Sequence, residues 1–287
     1  FDDVYEHNGL RRRYQGYCTE VFFREARDWM KKRIDAEEPF FAYLPTNAPH
    51  APLYVPAEDR EAAEAAFAAG EAMLPEPMRS ELTAENRAMI VRFLAMIRNV
   101  DTHLGALRSF LHDEGVERDT IFIFMTDNGS TFGPLYYNAG MRGSKTTLWE
   151  GGHRVPCFIR WPGGELGAPR DIGGLTEVQD LLPTLLDLCG IDAADEEFDG
   201  VSLAGVLRGE EKVPDRTLFV NYSRMPFTDF PTPDASSVIR RDGTAVLRRR
   251  WRLLHGTELY DVEADPQQDR NVIDEYPEVA QIGRAHV

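Results

Sequence analysis

The sequence predicts an α/β protein: a mixed, mostly parallel sheet between helical layers, then a small antiparallel α+β subdomain. Three observations predict it. A long helical pattern over 83–114 runs into a short apolar, β-branched and aromatic stretch, Thr120–Met125. That stretch has the length and character of a strand buried on both faces, as strands of parallel sheets are. From about Val213 the pattern changes to short strands separated by turn residues. The main domain is therefore placed at 1–210 and the subdomain at 211–281.

In chain order, residues 1–17 read as a polar loop with an Asn8-Gly9 turn, in which Asp2 and Asp3 are solvated charge. Thr19 is placed to cap a helix over 19–33 that carries Phe22, Phe23, Ala26, Trp29 and Met30 on one broad face. Residues 39–44 form a short apolar strand, and Asn47-Ala48-Pro49-His50-Ala51-Pro52 follows at its end. Two prolines fix the backbone around His50 at a strand's carboxyl end, where ligand-handling loops of α/β sheets lie. A lone histidine is more often structural or simply exposed, so both readings stand at this point. Residues 56–77, rich in Ala and Glu, form an exposed helix or a lid. Thr83 caps a core-facing helix to about Glu114, with Met89, Phe93, Met96, Ile97, Val100, Leu104, Leu107 and Leu111 at steps of three and four. His103 and His112 fall on it as surface or cap residues.

The strand at 120–125 stops at Thr126-Asp127-Asn128-Gly129. A carboxylate beside a carboxamide at a strand's end offers hard oxygen donors, suited to Ca²⁺ or Mg²⁺ rather than to zinc. D-N-G also suits a type I′ or left-handed turn. The loop to the next apolar strand, at 155–161, is too long for a hairpin, and long ordered loops in compact domains tend to be functional. Lys145 supplies a fixed cation within it, and Glu150-Gly151-Gly152 a point where the backbone turns tightly. Pro162-Gly163-Gly164 then turns the chain. Thr176 starts a helix that contains Pro183 and ends at Gly190, and a short helix follows at 203–207; both are scaffold.

Strands are expected at 218–222, 235–240, 244–248 and 251–255, with a helical tail at 274–280. Arg248-Arg249-Arg250 beside Trp251 is a basic cluster, a solvated edge or a contact for an anionic substrate. The acid spacing of 259–266 lacks the glycine and terminal glutamate of an EF-hand loop. The last six residues, I-G-R-A-H-V at 282–287, break from the acidic helix before them. One back-translation, ATC GGA AGA GCA CAC GTC, matches a sequencing-adapter stretch, so a non-native tail is expected there.

Composition bounds the function. Apolar residues at 43% and charged residues at 28% describe an ordinary folded globule. No apolar run approaches the length of a membrane span. The net charge of −16 argues against a nucleic-acid partner. An acidic protein acting on anionic esters needs a local cationic pocket, for which Lys145 is a candidate. Cys18, Cys157 and Cys189 lie in apolar contexts and read as buried thiols rather than a disulfide framework.

T-I-F-I-F-M-T-D-N-G at 120–129, followed by G-S-K-T-T-L-W-E-G-G-H-R-V-P at 143–156, resembles the sulfatase family of the alkaline-phosphatase-like superfamily. P-F-F-A-Y-L-P-T-N-A-P-H-A-P at 39–52, L-T-E-V-Q-D-L-L-P-T-L-L-D-L-C-G at 175–190 and L-Y-D-V-E-A-D-P-Q-Q-D-R-N at 259–271 extend the resemblance, in the family's order, over nearly the whole chain. It implies an alkaline-phosphatase-like fold and hydrolysis of sulfate monoesters, with a sulfated small molecule or sulfated glycan as substrate and a periplasmic or extracellular location. It also implies that Asp127 and Asn128 bind a divalent cation, Ca²⁺ or Mg²⁺, and that Lys145 and His50 contact the sulfate, His50 assisting departure of the alcohol.

The family's nucleophile is a formylglycine made from Cys or Ser in a Cys/Ser-x-Pro-x-Arg motif. Cys18 is followed by Thr-Glu-Val and Cys157 by Phe-Ile-Arg, so neither fits. The acidic pair that completes the metal site and the Lys/His pair beside the nucleophile are not found either. The chain is expected to be the C-terminal part of such an enzyme, with the formylglycine upstream and an unusually apolar exposed flank. Alone it is expected to be inactive and to hold metal weakly, since two oxygens are too few for Ca²⁺. Phosphomonoester, phosphodiester and phosphonate hydrolases of the superfamily share the sheet. Its two-zinc members put a His where Asn128 stands, and the seven histidines here show no such cluster. A non-catalytic calcium- or glycan-binding relative is the third alternative.

Overall fold

The structure, a computed structural model, describes residues 1–71, 74, 76–193, 196–221 and 243–284. It divides into two compact units, Phe1–Thr120 and Ile121–Val287.

The first unit opens with a hairpin where a loop is expected. Strands β1 (Val4–His7) and β2 (Leu10–Arg13) pair antiparallel around Asn8-Gly9. Both turn residues have positive φ, 51° and 77°, as a two-residue hairpin turn of this hand requires. Helix α1 (Cys18–Asp35) starts one residue earlier than expected, with Tyr17 at its N-cap, so Thr19 is buried inside the helix instead of capping it. Residues 39–44 join no ladder among the described residues. Exposure still alternates residue by residue there, with Phe41 and Tyr43 exposed, so the segment has strand periodicity without a strand's hydrogen bonds.

Helix α2 (Ala57–Gly70) is no lid. It packs along the later helix at 84–113 and buries Asp59, Ala63 and Phe67. A short helix α3 (Glu76–Glu81) follows, and then α4 (Ala84–Asp113), whose N-cap Thr83 accepts the Asn86 N–H at 3.1 Å as the sequence predicts. Its buried stripe is Ile90, Val91, Ala95, Met96, Leu107 and Leu111. His103 stacks on Phe23, and His112 is an exposed partner of Glu117.

In the second unit β3 (Phe122–Met125) leads into the long loop, which carries the short helices α5 (Gly133–Tyr136) and α6 (Glu150–His153). Strand β4 (Cys157–Arg160) then returns antiparallel to β3, in the register Phe122↔Arg160 to Met125↔Cys157. All ladders among the described residues are antiparallel, so the parallel pairings expected from the sequence are not found there. With β4 on one edge only, the residues of β3 are half-buried, not enclosed on both faces, and Phe158 on β4 is exposed. Cys157 and Cys189 are exposed and Cys18 is half-buried, so the expectation of three buried thiols does not hold; Cys157 opens this thinly covered strand and Cys189 caps the next helix.

That helix, α7 (Leu181–Leu188), takes Pro183 in its first turn, where the missing N–H costs nothing. Helix α8 (Ala204–Arg208) ends on Gly209 with φ 81°. Strands β5 (Thr217–Asn221), β6 (Thr244–Arg248), β7 (Trp251–Leu254) and β8 (Glu258–Asp261) form an antiparallel meander in sequence order. The strand expected at 235–240 lies outside the described residues. Helix α9 (Pro277–Arg284) covers one face of the meander through Val246, Leu253, Leu259, Val272 and Ala280. The other face packs Ala245, Leu247, Leu254 and Tyr260 against Leu148 and Trp149 of the long loop. Period-two alternation thus turns Arg252, with Leu254, toward that loop.

Candidate active site

Asp127 and Asn128 stand two and three residues beyond β3, the first exposed and the second half-buried. Asp127 Oδ1 accepts the Asn128 N–H at 2.9 Å. Neither Asn128 nor Gly129 has a left-handed φ, which removes the type I′ reading of D-N-G. Gly129 serves close approach instead. A Cβ there would lie 1.8 Å from the Gly151 carbonyl oxygen, and the Gly129 N–H donates to the Gly152 carbonyl at 3.0 Å. The two glycine-bearing motifs, D-N-G and E-G-G, are backbone-to-backbone neighbours.

Lys145 reaches the same place. Its N–H donates to the Ser130 carbonyl at 3.4 Å, two residues beyond Asn128. Its side chain is half-buried, and its ammonium forms no ion pair among the described residues. Thr146 beside it has φ 77°, a strained conformation for a β-branched residue, and Ser144 and Thr147 brace it through a turn closed at 3.1 Å. Asn138 braces the far side by donating to the carbonyls of Met141 and Gly143, each at 2.7 Å.

His50 belongs to the first unit. It is exposed, its N–H donates to the Asn47 carbonyl at 2.8 Å, and its Nδ1–H donates to the Ala51 carbonyl at 2.6 Å. That bond fixes the tautomer and leaves Nε2 as the atom that exchanges a proton.

Other polar groups, which sequence reasoning missed, hold the long loop. Glu150 and Arg252 form a buried pair, Nε to Oε1 at 2.6 Å. Gln268 Oε1 accepts the Glu150 N–H at 2.9 Å, and its carbonyl accepts from Arg142 Nη1 at 2.8 Å. Arg142 lies over the Trp149 ring at 4.4 Å. The available signal is Arg252 inside an otherwise apolar strand, since an arginine buried that way needs a partner. In the basic cluster, Arg249 pairs with Asp215 and Arg250 with Asp261, and Arg248 is exposed. Asp180, fully buried, takes Arg216 and the N–H groups of Val201 and Glu177 at 3.0 and 2.9 Å.

The donors at Asp127 and Asn128 are of the right chemistry for a hard cation but too few to fill its shell. Among the described residues no three His, Cys, Asp or Glu side chains are grouped to hold a metal.

Comparison with known proteins places the chain. The family model described as Sulfatase matches residues 1–191. The chain belongs to the sulfatase family. A second model, described as the C-terminal part of N-sulphoglucosamine sulphohydrolase, matches residues 143–285. This sulfatase chain is 31% identical over 200 residues to a sulfatase of Formosa agariphila, covering 65% of the chain and 33% of that protein. It is 29% identical over 206 residues to N-acetylgalactosamine-6-sulfatase of Canis lupus familiaris, covering 70% and 34%. It thus spans about a third of the length of these relatives. The solved structure of Ps i-CgsB in complex with k-i-k-neocarrahexaose superposes with TM-score 0.74 at 24% identity, over 96% of this chain and 55% of that one. The phosphonate monoester hydrolase of Agrobacterium radiobacter superposes with TM-score 0.65 at 23% identity, over 93% and 59%. The fold is the alkaline-phosphatase-like fold of these proteins. No helix among the described residues is long and apolar enough to cross a membrane.

Proposed function

We propose that this chain is the part of a sulfuric ester hydrolase that carries the cation-side and leaving-group-side residues of its active site. One observation carries the proposal: the backbone bonds Gly129–Gly152 and Lys145–Ser130 stitch the segment bearing Lys145, half-buried and without an ion pair among the described residues, to the turn bearing Asp127 and Asn128. Asp127 and Asn128 would be oxygen ligands of a Ca²⁺, with Mg²⁺ as the alternative, and the bound cation would neutralise sulfate oxygens. Lys145 is the point charge on a sulfate oxygen, stabilising the sulfuryl group in transfer. His50 donates the proton that a poor alcohol leaving group needs. The attacking group, a formylglycine by family, comes from a motif that Cys18, Cys157 and Cys189 do not supply.

A sulfated sugar is the favoured substrate class. Supporting it are a relative named for N-acetylgalactosamine-6-sulfate and a family model named for an N-sulfated glucosamine. A periplasmic or extracellular site of action follows from that substrate class. The test is kinetic, on the complete enzyme that carries this chain. Lys145→Ala lowers kcat/KM by about a thousandfold, as loss of one preorganised donor does. A rate that survives the substitution sinks the assignment of Lys145. Turnover of a phosphonate or phosphate monoester in preference to a sulfate ester would move the enzyme to another branch of the superfamily.

A further inference from the structure

The segment 142–151, which carries Lys145, is tied at both ends to one residue of the distant C-terminal region. Gln268 accepts the Arg142 guanidinium on its carbonyl and the Glu150 N–H on its side-chain oxygen, at 2.8 and 2.9 Å. The Gly151 N–H closes the ring by donating to the Arg142 carbonyl at 2.8 Å. Arg252 locks the same corner by donating to the Glu150 carboxylate at 2.6 Å. Arg154 approaches the other Glu150 oxygen from the surface at 3.4 Å. Glu150, Arg252 and Gln268 are 2%, 6% and 0% exposed.

Two features of this clasp are expensive. A buried ion pair is commonly matched in stability by apolar residues of the same volume, so retaining one serves specificity more than strength. Gln268 also has φ 52°, a left-handed conformation for a fully buried non-glycine residue, and Thr146 beside Lys145 has φ 77°. Strain of that kind persists where the surroundings over-determine the backbone, and it gathers at functional sites.

From this ring we infer that Gln268, Glu150 and Arg252 are positioning residues for Lys145, through which the four-stranded meander sets the place of the ammonium beside Asp127 and Asn128. The inference rests on Lys145 being an anion-binding group. None of the three touches the anion. They act by denying the 142–151 segment its alternative conformations, so that the cation is in place before the anion arrives.

Inorganic sulfate is the probe, titrated into the isotopically labelled chain while the amide resonances of Asn128 and Lys145 are followed. Amide hydrogen exchange is measured on the same samples. Lys145→Ala weakens sulfate binding by about tenfold or more. Gln268→Met, which keeps the volume and the backbone carbonyl that takes Arg142 but removes the side-chain oxygen that accepts the Glu150 N–H, weakens it by about fivefold. The same variant speeds exchange at Lys145 and Gly151 by about tenfold while the amides of β6 to β8 keep their protection. Arg142→Met, at an exposed position, removes the other tie and gives an intermediate loss, and Arg252→Lys retains more affinity than Arg252→Met. Should Gln268→Met and Arg142→Met fold cooperatively and leave both sulfate affinity and loop exchange at wild-type values, the positioning role is overturned. Should Lys145→Ala bind sulfate as the wild type does, the anion site itself is wrong, and the exchange rates still decide whether the clasp holds the loop.

Discussion

Gly129 lies so close to Gly151 that a Cβ on it would stand 1.8 Å from the Gly151 carbonyl oxygen. The obstacle is backbone, which cannot swing aside as a side chain would. This contact is what makes a single unit of the strand end that holds Asp127 and the loop that holds Lys145.

Gly129→Ala should therefore cost about 3 kcal/mol or more, at the upper end of overpacking effects, and should disorder residues 126–152 first. Gly105→Ala is the matched control. It lies within α4 with open space around it, and alanine there should stabilise the chain by about 1 kcal/mol. Urea unfolding of the two variants should move the midpoint in opposite directions. Equal shifts would show that the Gly129 contact yields easily.

Parts of this were legible in the sequence and parts were not, for physical reasons. The strand that stops just before Thr126-Asp127 was legible because an apolar β-branched run with a polar stop depends on local pattern alone. The role of Gly129 was not, because D-N-G encodes a turn and a close approach equally well, and only the Gly151-Gly152 backbone packed against it decides. The hairpin at Asn8-Gly9 was overlooked because β2 is Leu-Arg-Arg-Arg, wholly exposed, with none of the alternation that marks a strand. Ala- and Glu-rich α2 read as a lid because its buried face is only Ala63, Phe67 and the unusual Asp59, which accepts from buried Asn99 at 2.7 Å. Arg252 and Gln268 were invisible as site residues since their partner, Glu150, is far away along the chain and no spacing rule links them.

The buried pair makes a distinct prediction about charge. Arg252→Met alone leaves the Glu150 carboxylate desolvated with only the exposed Arg154 nearby, and should cost about 3 kcal/mol. Adding Glu150→Gln should restore part of that loss, because no buried charge then remains. Denaturant unfolding of the single and double variants measures it. A double variant less stable than the single would mean that packing of the long side chains, not charge, sets the cost.

Acid should destabilise the second unit in two windows. Burial holds His153 below its ordinary value of 6.5, against the opposing charge of Glu150. Its proton is then bound more tightly by the unfolded chain, so stability falls as pH drops below about 6.5 and levels off once the folded form is also protonated. For Asp180 burial raises the carboxyl, but Arg216 and the N–H groups of Val201 and Glu177 outweigh it and leave a net depression below 3.8. That contribution is intact above about pH 4 and is lost as pH falls through the depressed value. Melting temperatures measured across pH should lose the first window in His153→Gln and the second in Asp180→Asn. A profile unchanged by both variants would place the acid sensitivity elsewhere.

The last prediction concerns His50, proposed as the acid for the departing alcohol. Its Nδ1–H is committed to the Ala51 carbonyl at 2.6 Å, so any proton it delivers leaves from Nε2. Proton donation matters only where the leaving oxygen is strongly basic. An activated aryl sulfate departs as a stable phenolate without help, whereas a sugar alkoxide does not. In the complete enzyme His50→Ala should cost a sugar sulfate about a hundredfold or more in kcat while sparing an activated aryl sulfate. The slope of log kcat against leaving-group pKa should steepen in the variant. Equal losses on both substrates would make His50 a positional group, and an unchanged slope would assign the proton to another residue.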